Sequence, residues 1–216
     1  MKKLEMLGIQ IFIYTLGPLD TSTYLFEDSG SACVIDPANS NKEEDRELID
    51  QIKKLGELKY IINTHGHFDH IIGNRIMKNE FKNAKIVIHP FDKEKLSDPV
   101  KNGSNFFGES VISPACDMTI DEGNEIKIGK VKLKVIHTPG HTKGSISLKG
   151  SGFVFTGDTL FAGTVGIAKE YSNAFEEMIV SIKEKLLVLP DTTIILPGHG
   201  ETSTISEEKE FNPFLN

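Results

Sequence analysis

Two cysteines in 216 residues are too few for a disulfide framework. Cys33 falls inside the apolar run Ala32-Cys33-Val34-Ile35, where a buried free thiol is the default, and neither cysteine is placed like a metal ligand. No apolar run approaches the roughly 20 residues that a helix needs to span a bilayer, and no signal peptide is visible at the start of the chain. A net charge of −7 supplies no excess of cations to hold nucleic acid or an anionic membrane. These absences agree with a cytoplasmic protein and decide little else. The length suits one well-filled domain over residues 1–216 better than two small ones.

One short stretch holds an unusual density of donors. Leu58-Lys59-Tyr60-Ile61-Ile62-Asn63 reads as a buried strand, and Ile71 to Met77 carries apolar residues at helical spacing. Between them, Thr64-His65-Gly66-His67-Phe68-Asp69-His70 packs three imidazoles and a carboxylate into the strand-to-helix loop. Side chains two apart on extended backbone point the same way, so His65 and His67 can grip one ion. Asp69 and His70 follow the turn and can face a second. Imidazole with carboxylate suits zinc, iron or manganese, whereas an all-oxygen set would suit magnesium or calcium.

One cluster cannot close two coordination spheres, and three downstream turns offer the remaining donors. The alternating run Val131 to Ile136 leads into His137-Thr138-Pro139-Gly140-His141-Thr142. Phe153 to Thr156 leads into Gly157-Asp158-Thr159, and Thr192 to Leu196 leads into Pro197-Gly198-His199-Gly200. In each, a β-rich run stops at Gly or Pro with His141, Asp158 or His199 in or beside the turn. Delivery from strand ends onto one rim is what a rigid metal site requires.

These pieces, in this order, resemble the metallo-β-lactamase superfamily. The segment Gly157-Asp158-Thr159-Leu160-Phe161-Ala162-Gly163 and the tail Asn212-Pro213-Phe214-Leu215 are similar to the small, single-domain glyoxalase II-like hydrolases. The resemblance implies an α+β fold, a four-layer αββα sandwich of mixed sheets with helices on the outer faces. It implies two divalent metal ions, zinc first with iron or manganese as alternatives. His65, His67 and His141 would hold the first, and Asp69, His70 and His199 the second. Asp158 would bridge both, with Asp69 and Asp158 as the carboxylates of catalysis.

Two cations sharing a water lower its pKa from about 15.7 towards neutrality, which gives a bridging hydroxide as nucleophile and removes any need for serine or cysteine. A thioester suits such a site, because a thiol with a pKa of about 8.5 departs as thiolate with little acid assistance. S-lactoylglutathione-like thioesters are the substrate class that the resemblance implies. Such proteins usually carry a basic residue where this chain has Ile167, and a neutral aliphatic cannot pair with a substrate carboxylate. Lys143 or Lys169 would then have to supply the charge, and another acyl-thiol or small ester stays open. The helical substrate domain of larger glyoxalases II is not expected, since 17 residues follow His199. A mononuclear-iron persulfide dioxygenase using His65, His141 and Asp158 is the competing reading, with lactonases, other ester hydrolases and nucleases behind it. Exported zinc β-lactamases, which lack this bridging Asp, fit less well.

Other residues carry blander expectations. His89 reads as a hydrogen-bonded strand-end residue. His137 could orient a ligand, although a structural role suits it better, and Asp36 is either a partner of a ligand or a turn former before Pro37. Helices are predicted over Asn41 to Leu55, with Leu48, Ile49, Ile52 and Leu55 on one face, and over Ser172 to Val188, with Phe175, Met178, Ile179, Ile182 and Leu186. Early strands fall at Ile9 to Tyr14 and Thr23 to Phe26. Asp92 to Asp117 reads mostly as loop, whose Phe106 and Phe107 either line the substrate entrance or pack beneath it, packing being the default.

Overall fold

The computed structural model describes residues 1–6 and 9–216, without the Met6 side chain. Among these, seven strands form a first sheet in chain order: β1 (Lys2–Met6), β2 (Ile9–Leu16), β3 (Thr21–Asp28), β4 (Ser31–Ile35), β5 (Glu57–Ile62), β6 (Lys85–Ile88) and β7 (Met118–Thr119). Pairing is antiparallel from β1 to β4 and parallel from β4 to β7. The chain continues through β8 (Glu125–Ile128), β9 (Val131–His137), β10 (Ile146–Lys149), β11 (Phe153–Gly157), the hairpin β12 (Leu160–Phe161) and β13 (Thr164–Val165), then β14 (Ile194–Pro197) and β15 (Ser203–Thr204). A second, mixed sheet runs β15-β14-β11-β10-β9-β8.

Alternation along the strands builds three apolar layers. Tyr24, Phe26, Ile35 and Ile62 on the inner face of the first sheet meet Leu133, Val135, Leu148 and Phe155 of the second. Leu25, Val34 and Ile61, one residue out of phase, point the other way. They cover Leu48 and Ile52 of α1 (Lys42–Leu55), with α2 (Phe68–Ile71) and α3 (Asn74–Glu80) supplying Ile71 and Met77. On the far side, Val154 and Ile195 meet Met178 of α4 (Ala174–Ser181) and Ile205 of α5 (Ile205–Phe211). The result is the αββα sandwich.

Local chemistry explains the element ends. The Asn41 side chain caps α1, accepting from Glu43 N at 3.0 Å and Glu44 N at 3.1 Å, and Gly56 closes the helix. The helical pattern after His70 splits at Gly73, whose N–H is held by Pro37 O at 2.9 Å.

Several expectations need correction. The strand β1 lay unseen because Lys2, Lys3 and Glu5 disguise its pairing with β2. The second predicted helix starts at Ala174, after Asn173 with φ 63°, and continues as a π-turn over Ile182–Leu186. Its buried seam is Met178, Ile182 and Leu186 at spacings of four, and Phe175 lies off it, 42% exposed. Two 3-10 stretches, Pro90–Leu96 and Ser104–Phe107, run into or lie within residues 92–117. The second is only one turn between left-handed Gly103 and Gly108, too short to bury both rings; Phe106 is 84% and Phe107 59% exposed. Phe107 lies on Phe68, ring centroids 4.9 Å apart.

Phe155 sits at the centre of the inter-sheet layer, fully buried, with Tyr24 at 4.9 Å and Phe153 at 5.4 Å between ring centroids. Phe155→Ala is expected to lower the unfolding free energy by about 3–5 kcal/mol. Urea denaturation checks this; a loss below about 1 kcal/mol would mean that the layer collapses to refill the cavity.

Candidate metal centre

The strand ends β5, β9, β11 and β14 deliver their turns to one edge of the sandwich, and seven side chains meet there. Asp69 and His70 enter from the first turn of α2, and His65 and His67 from the loop before it. His141, Asp158 and His199 enter from the turns after β9, β11 and β14. Their donor atoms fall into two groups that share Asp158. His141 Nε2 lies 3.2 Å from His65 Nε2 and 2.8 Å from His67 Nδ1. His70 Nε2 lies 3.3 Å from Asp69 Oδ2 and 3.3 Å from His199 Nε2. Asp158 Oδ1 is 3.3 Å from His70 Nε2, and its Oδ2 is 3.6 Å from His141 Nε2 and 3.5 Å from His199 Nε2.

The outward ring nitrogens decide what the inward ones carry. His141 Nδ1 faces Ile167 O at 2.7 Å and His199 Nδ1 faces Leu19 O at 3.1 Å. A carbonyl can only accept, so both nitrogens hold a proton. His70 Nδ1 donates to Asp36 Oδ2 at 2.9 Å, and His67 Nε2 to Glu170 Oε1 at 3.1 Å. The Thr64 hydroxyl donates to Asp36 Oδ2 at 2.6 Å, so Thr64 Oγ1 accepts from His65 Nδ1 at 3.1 Å. In the neutral rings of the first group, then, three lone pairs point at one another.

Burial holds the pKa of His65 well below the ordinary histidine value and that of His141 below it, so neither ring readily takes a proton to relieve this repulsion. A cation relieves it. Metal–nitrogen bonds of 2.0–2.1 Å in tetrahedral array separate ligand nitrogens by about 3.3 Å, close to the spacing found. Asp158 Oδ1 adds a second sign: it is buried with no hydrogen-bond partner. The donor set and this orphan oxygen fit bound metal.

The surroundings position the set. Asp36 follows β4 in the left-handed region, φ 50°, and accepts from Thr64 N at 2.7 Å, from Thr64 Oγ1 and from His70. Thr21 Oγ1 donates to Asp69 Oδ2 at 2.9 Å. Asp92, fully buried, accepts from Gly66 N at 2.7 Å, Thr142 Oγ1 at 2.8 Å and Gly144 N at 3.0 Å, clamping two ligand loops together. Gly198 must lack a side chain, because a Cβ there would stand 2.1 Å from Asp158 Oδ1 and 2.9 Å from His70. The inner ligands are nearly inaccessible, while His67 and His199 keep 24% and 27% side-chain exposure, so the centre opens between them.

Lys143 lies over the Tyr171 ring, 5.3 Å from its centroid, and Lys169 is exposed on the loop after β13. The cation beside the ligands is Lys95, bonded to Glu170. His137 does not orient a ligand; it donates to Lys143 O at 2.9 Å and stacks on His89 at 4.2 Å. His89 is buried, accepts from Phe91 N and donates to Asp121 at 3.1 Å. Asp92, Lys95, Glu170 and Thr21 escaped the sequence reading because each meets its ligand loop across 26 to 103 residues of chain, with no local pattern to mark it.

The chain belongs to the metallo-beta-lactamase superfamily, whose family model matches residues 16–199. It is 34% identical over 205 residues to the probable metallo-hydrolase YqgX of Bacillus subtilis, covering 93% of this chain and 95% of that protein. With the hydroxyacylglutathione hydrolase GloC of Haemophilus influenzae it shares 33% identity over 201 residues, 89% of this chain and 91% of the other. Among solved structures, the BLEG-1 B3 metallo-beta-lactamase superposes with a TM-score of 0.88 at 30% identity, covering 95% of this chain and 99% of that one. TTHA1623 in a di-iron-bound form gives 0.80 at 29% identity, with 94% and 100% covered. Family and site together define a metal-binding hydrolase. Among the described residues, no helix is long and apolar enough to cross a membrane.

Without a cation, burial works against charge on His70 and His199, but the carboxylates outweigh it. Asp69, Asp158 and Asp36 hold the His70 pKa well above its ordinary value, and Asp158 and Asp69 raise His199 to about 9. Both rings gain a partner on folding, so the stability they lend the metal-free protein is complete below about pH 6.5 and fades as pH rises through about 9. Chelated protein is therefore expected to lose thermal stability over that window while metal-loaded protein holds it. Melting curves with and without chelator check this, and parallel curves would show that the ion pairs contribute nothing.

Proposed function

We propose that the chain is a two-metal thioester hydrolase, with S-lactoylglutathione-like compounds as its substrate class, working in the cytoplasm with two zinc ions, or iron or manganese in their place. The observation that carries this reading is Asp158. Its two oxygens face donors of both groups, so two ions would share it. His65, His67 and His141 would hold one ion, Asp69, His70 and His199 the other. Such a pair lowers the pKa of a coordinated water towards neutrality and polarises a carbonyl oxygen.

The chain's own residues supply orientation. Asp36, through Thr64 and His70, fixes one ring in each group. Ile167 O and Leu19 O fix His141 and His199 in the tautomer whose Nε2 is free to coordinate. Thr21 holds Asp69 by one oxygen. No serine or cysteine nucleophile enters this scheme, and a thiolate leaves without a strong acid beside it. Likeness to GloC supports a glutathione thioester. Ile167, 70% exposed beside His141, supports an acyl-thiol without a carboxylate at that point.

Metal analysis combined with assays of thioester hydrolysis, β-lactam hydrolysis and glutathione-persulfide-dependent oxygen uptake tests the reading. Two metals with thioesterase turnover are expected. One iron with oxygen consumption, or turnover of β-lactams alone, would overturn it. Asp158→Ala is expected to lose activity by more than the roughly 100-fold that removal of an outer partner costs, together with the second metal. Full turnover in that variant would remove Asp158 from its bridging role.

A further inference from the structure

His67 differs from the other four imidazoles. It presents Nδ1 to the cluster where the others present Nε2. It stands at the N-terminus of α2 with no side-chain cap bond, and it keeps 24% side-chain exposure. Its outward nitrogen goes to a carboxylate, Glu170 Oε1 at 3.1 Å, which reaches in from the loop after β13. The same oxygen is bonded by Lys95 Nζ, and the Lys95 side chain is only 12% exposed.

Lys95 is held in this position by its neighbours. It lies in the last turn of the 3-10 stretch that also carries Asp92, so the segment that clamps Gly66 and Thr142 also aims the lysine. Its stem lies across Gly66, where an added Cβ would stand 2.6 Å from Lys95 Cβ and 2.7 Å from Cδ. Its ammonium makes one further bond, to Lys101 O at 3.2 Å. A glycine between the two histidines is therefore what lets the lysine pass.

We propose that Glu170 and Lys95 are positioning residues that tune the first metal group through His67, with opposite signs. This rests on the two-metal reading above. The Glu170 carboxylate draws on the His67 Nε2 proton and makes Nδ1 a stronger donor. Lys95 shares the same oxygen and weakens that pull. The other first-group rings lean on neutral atoms, Ile167 O and Thr64 Oγ1, so His67 is the ligand on which a direct charge acts.

The pair gives a signed test. Stepwise metal affinities of the full chain are read by competition of zinc with a chromophoric chelator, and by the visible spectrum of the cobalt-substituted protein. Glu170→Gln keeps an oxygen able to accept from His67 but removes its charge. It is expected to weaken one binding step by about 10–100-fold, leave the other unchanged and shift the cobalt bands. Lys95→Met is expected to strengthen that same step, and in the double variant its effect should vanish, because it acts only through Glu170. Replacements that both weaken binding, or that add independently, would overturn the proposal, as would unchanged affinities in Glu170→Gln. Melting of the metal-free variants separates tuning from misfolding: a shared loss of stability that accounts for weakened binding also overturns it. The affinities require no turnover, so failure of the wild-type protein to cleave thioesters would remove the hydrolase reading and leave this test intact.

Discussion

The carboxylate of Asp36 is the contact on which both halves of the metal centre depend. One oxygen accepts from the Thr64 backbone, and the other from the Thr64 hydroxyl and from His70 Nδ1. Because Thr64 Oγ1 in turn accepts from His65 Nδ1, a single side chain orients one ring in each ligand group. The position is demanding. Asp36 is buried, and its backbone sits at φ 50°, a region that costs most residues energy and that aspartate tolerates better. Strain of this kind persists where surrounding contacts over-determine it, and here the neighbouring strand end provides them, with Asp36 N held by Ile62 O at 2.8 Å.

The sandwich gives that contact its setting. Parallel pairing of β4 with β5 brings the two C-terminal ends side by side, so Asp36 and the His65 loop emerge at the same edge. In the second sheet, β11 and β14 are also parallel and release Asp158 and His199 together. The seam between sheets is closed by Tyr24, whose hydroxyl donates to Pro197 O at 2.6 Å, just before the turn that carries His199. Asp92 then locks the His67 and His141 loops to each other. Ligand geometry thus follows from strand register and a few buried carboxylates.

How much of this could be read from the chain alone depends on the range of each signal. The downstream ligands were legible because each lies in or beside a turn where Gly or Pro stops a β-rich run, and the first four because they crowd together between His65 and His70, both local marks. The layer order was legible from the family likeness. What stayed hidden was mostly tertiary: Asp92 lies in a stretch that reads as loop, and Lys95 and Glu170 look like ordinary surface charges until the fold brings them 75 residues apart in sequence onto one oxygen. Phe106 and Phe107 misled for the opposite reason, since an aromatic pair argues for burial while a one-turn helix between two glycines cannot provide it. His137, four residues from His141 along the chain, takes the structural role that suited it better, pointing to Lys143 O and to His89.

Charge balance links the inner and outer partners. Two divalent ions would bring four positive charges into a pocket where Asp69 and Asp158 supply two negative ones and the imidazoles none. Asp36 and Glu170 each add a carboxylate one bond further out, through a ring that transmits the effect without occupying a coordination position. Lys95 returns part of that charge at one of the two places. The first group, with three imidazoles of its own, would be the more electron-poor, and the second, with Asp69, the less. Such asymmetry is useful to a hydrolase. The ion with fewer carboxylates would lower the pKa of a coordinated water more strongly, whereas the group that adds Asp69 to the shared Asp158 would hold its ion more firmly. On this view Glu170 and Lys95 act at the electron-poor side, where the smallest change in donor strength would be felt most.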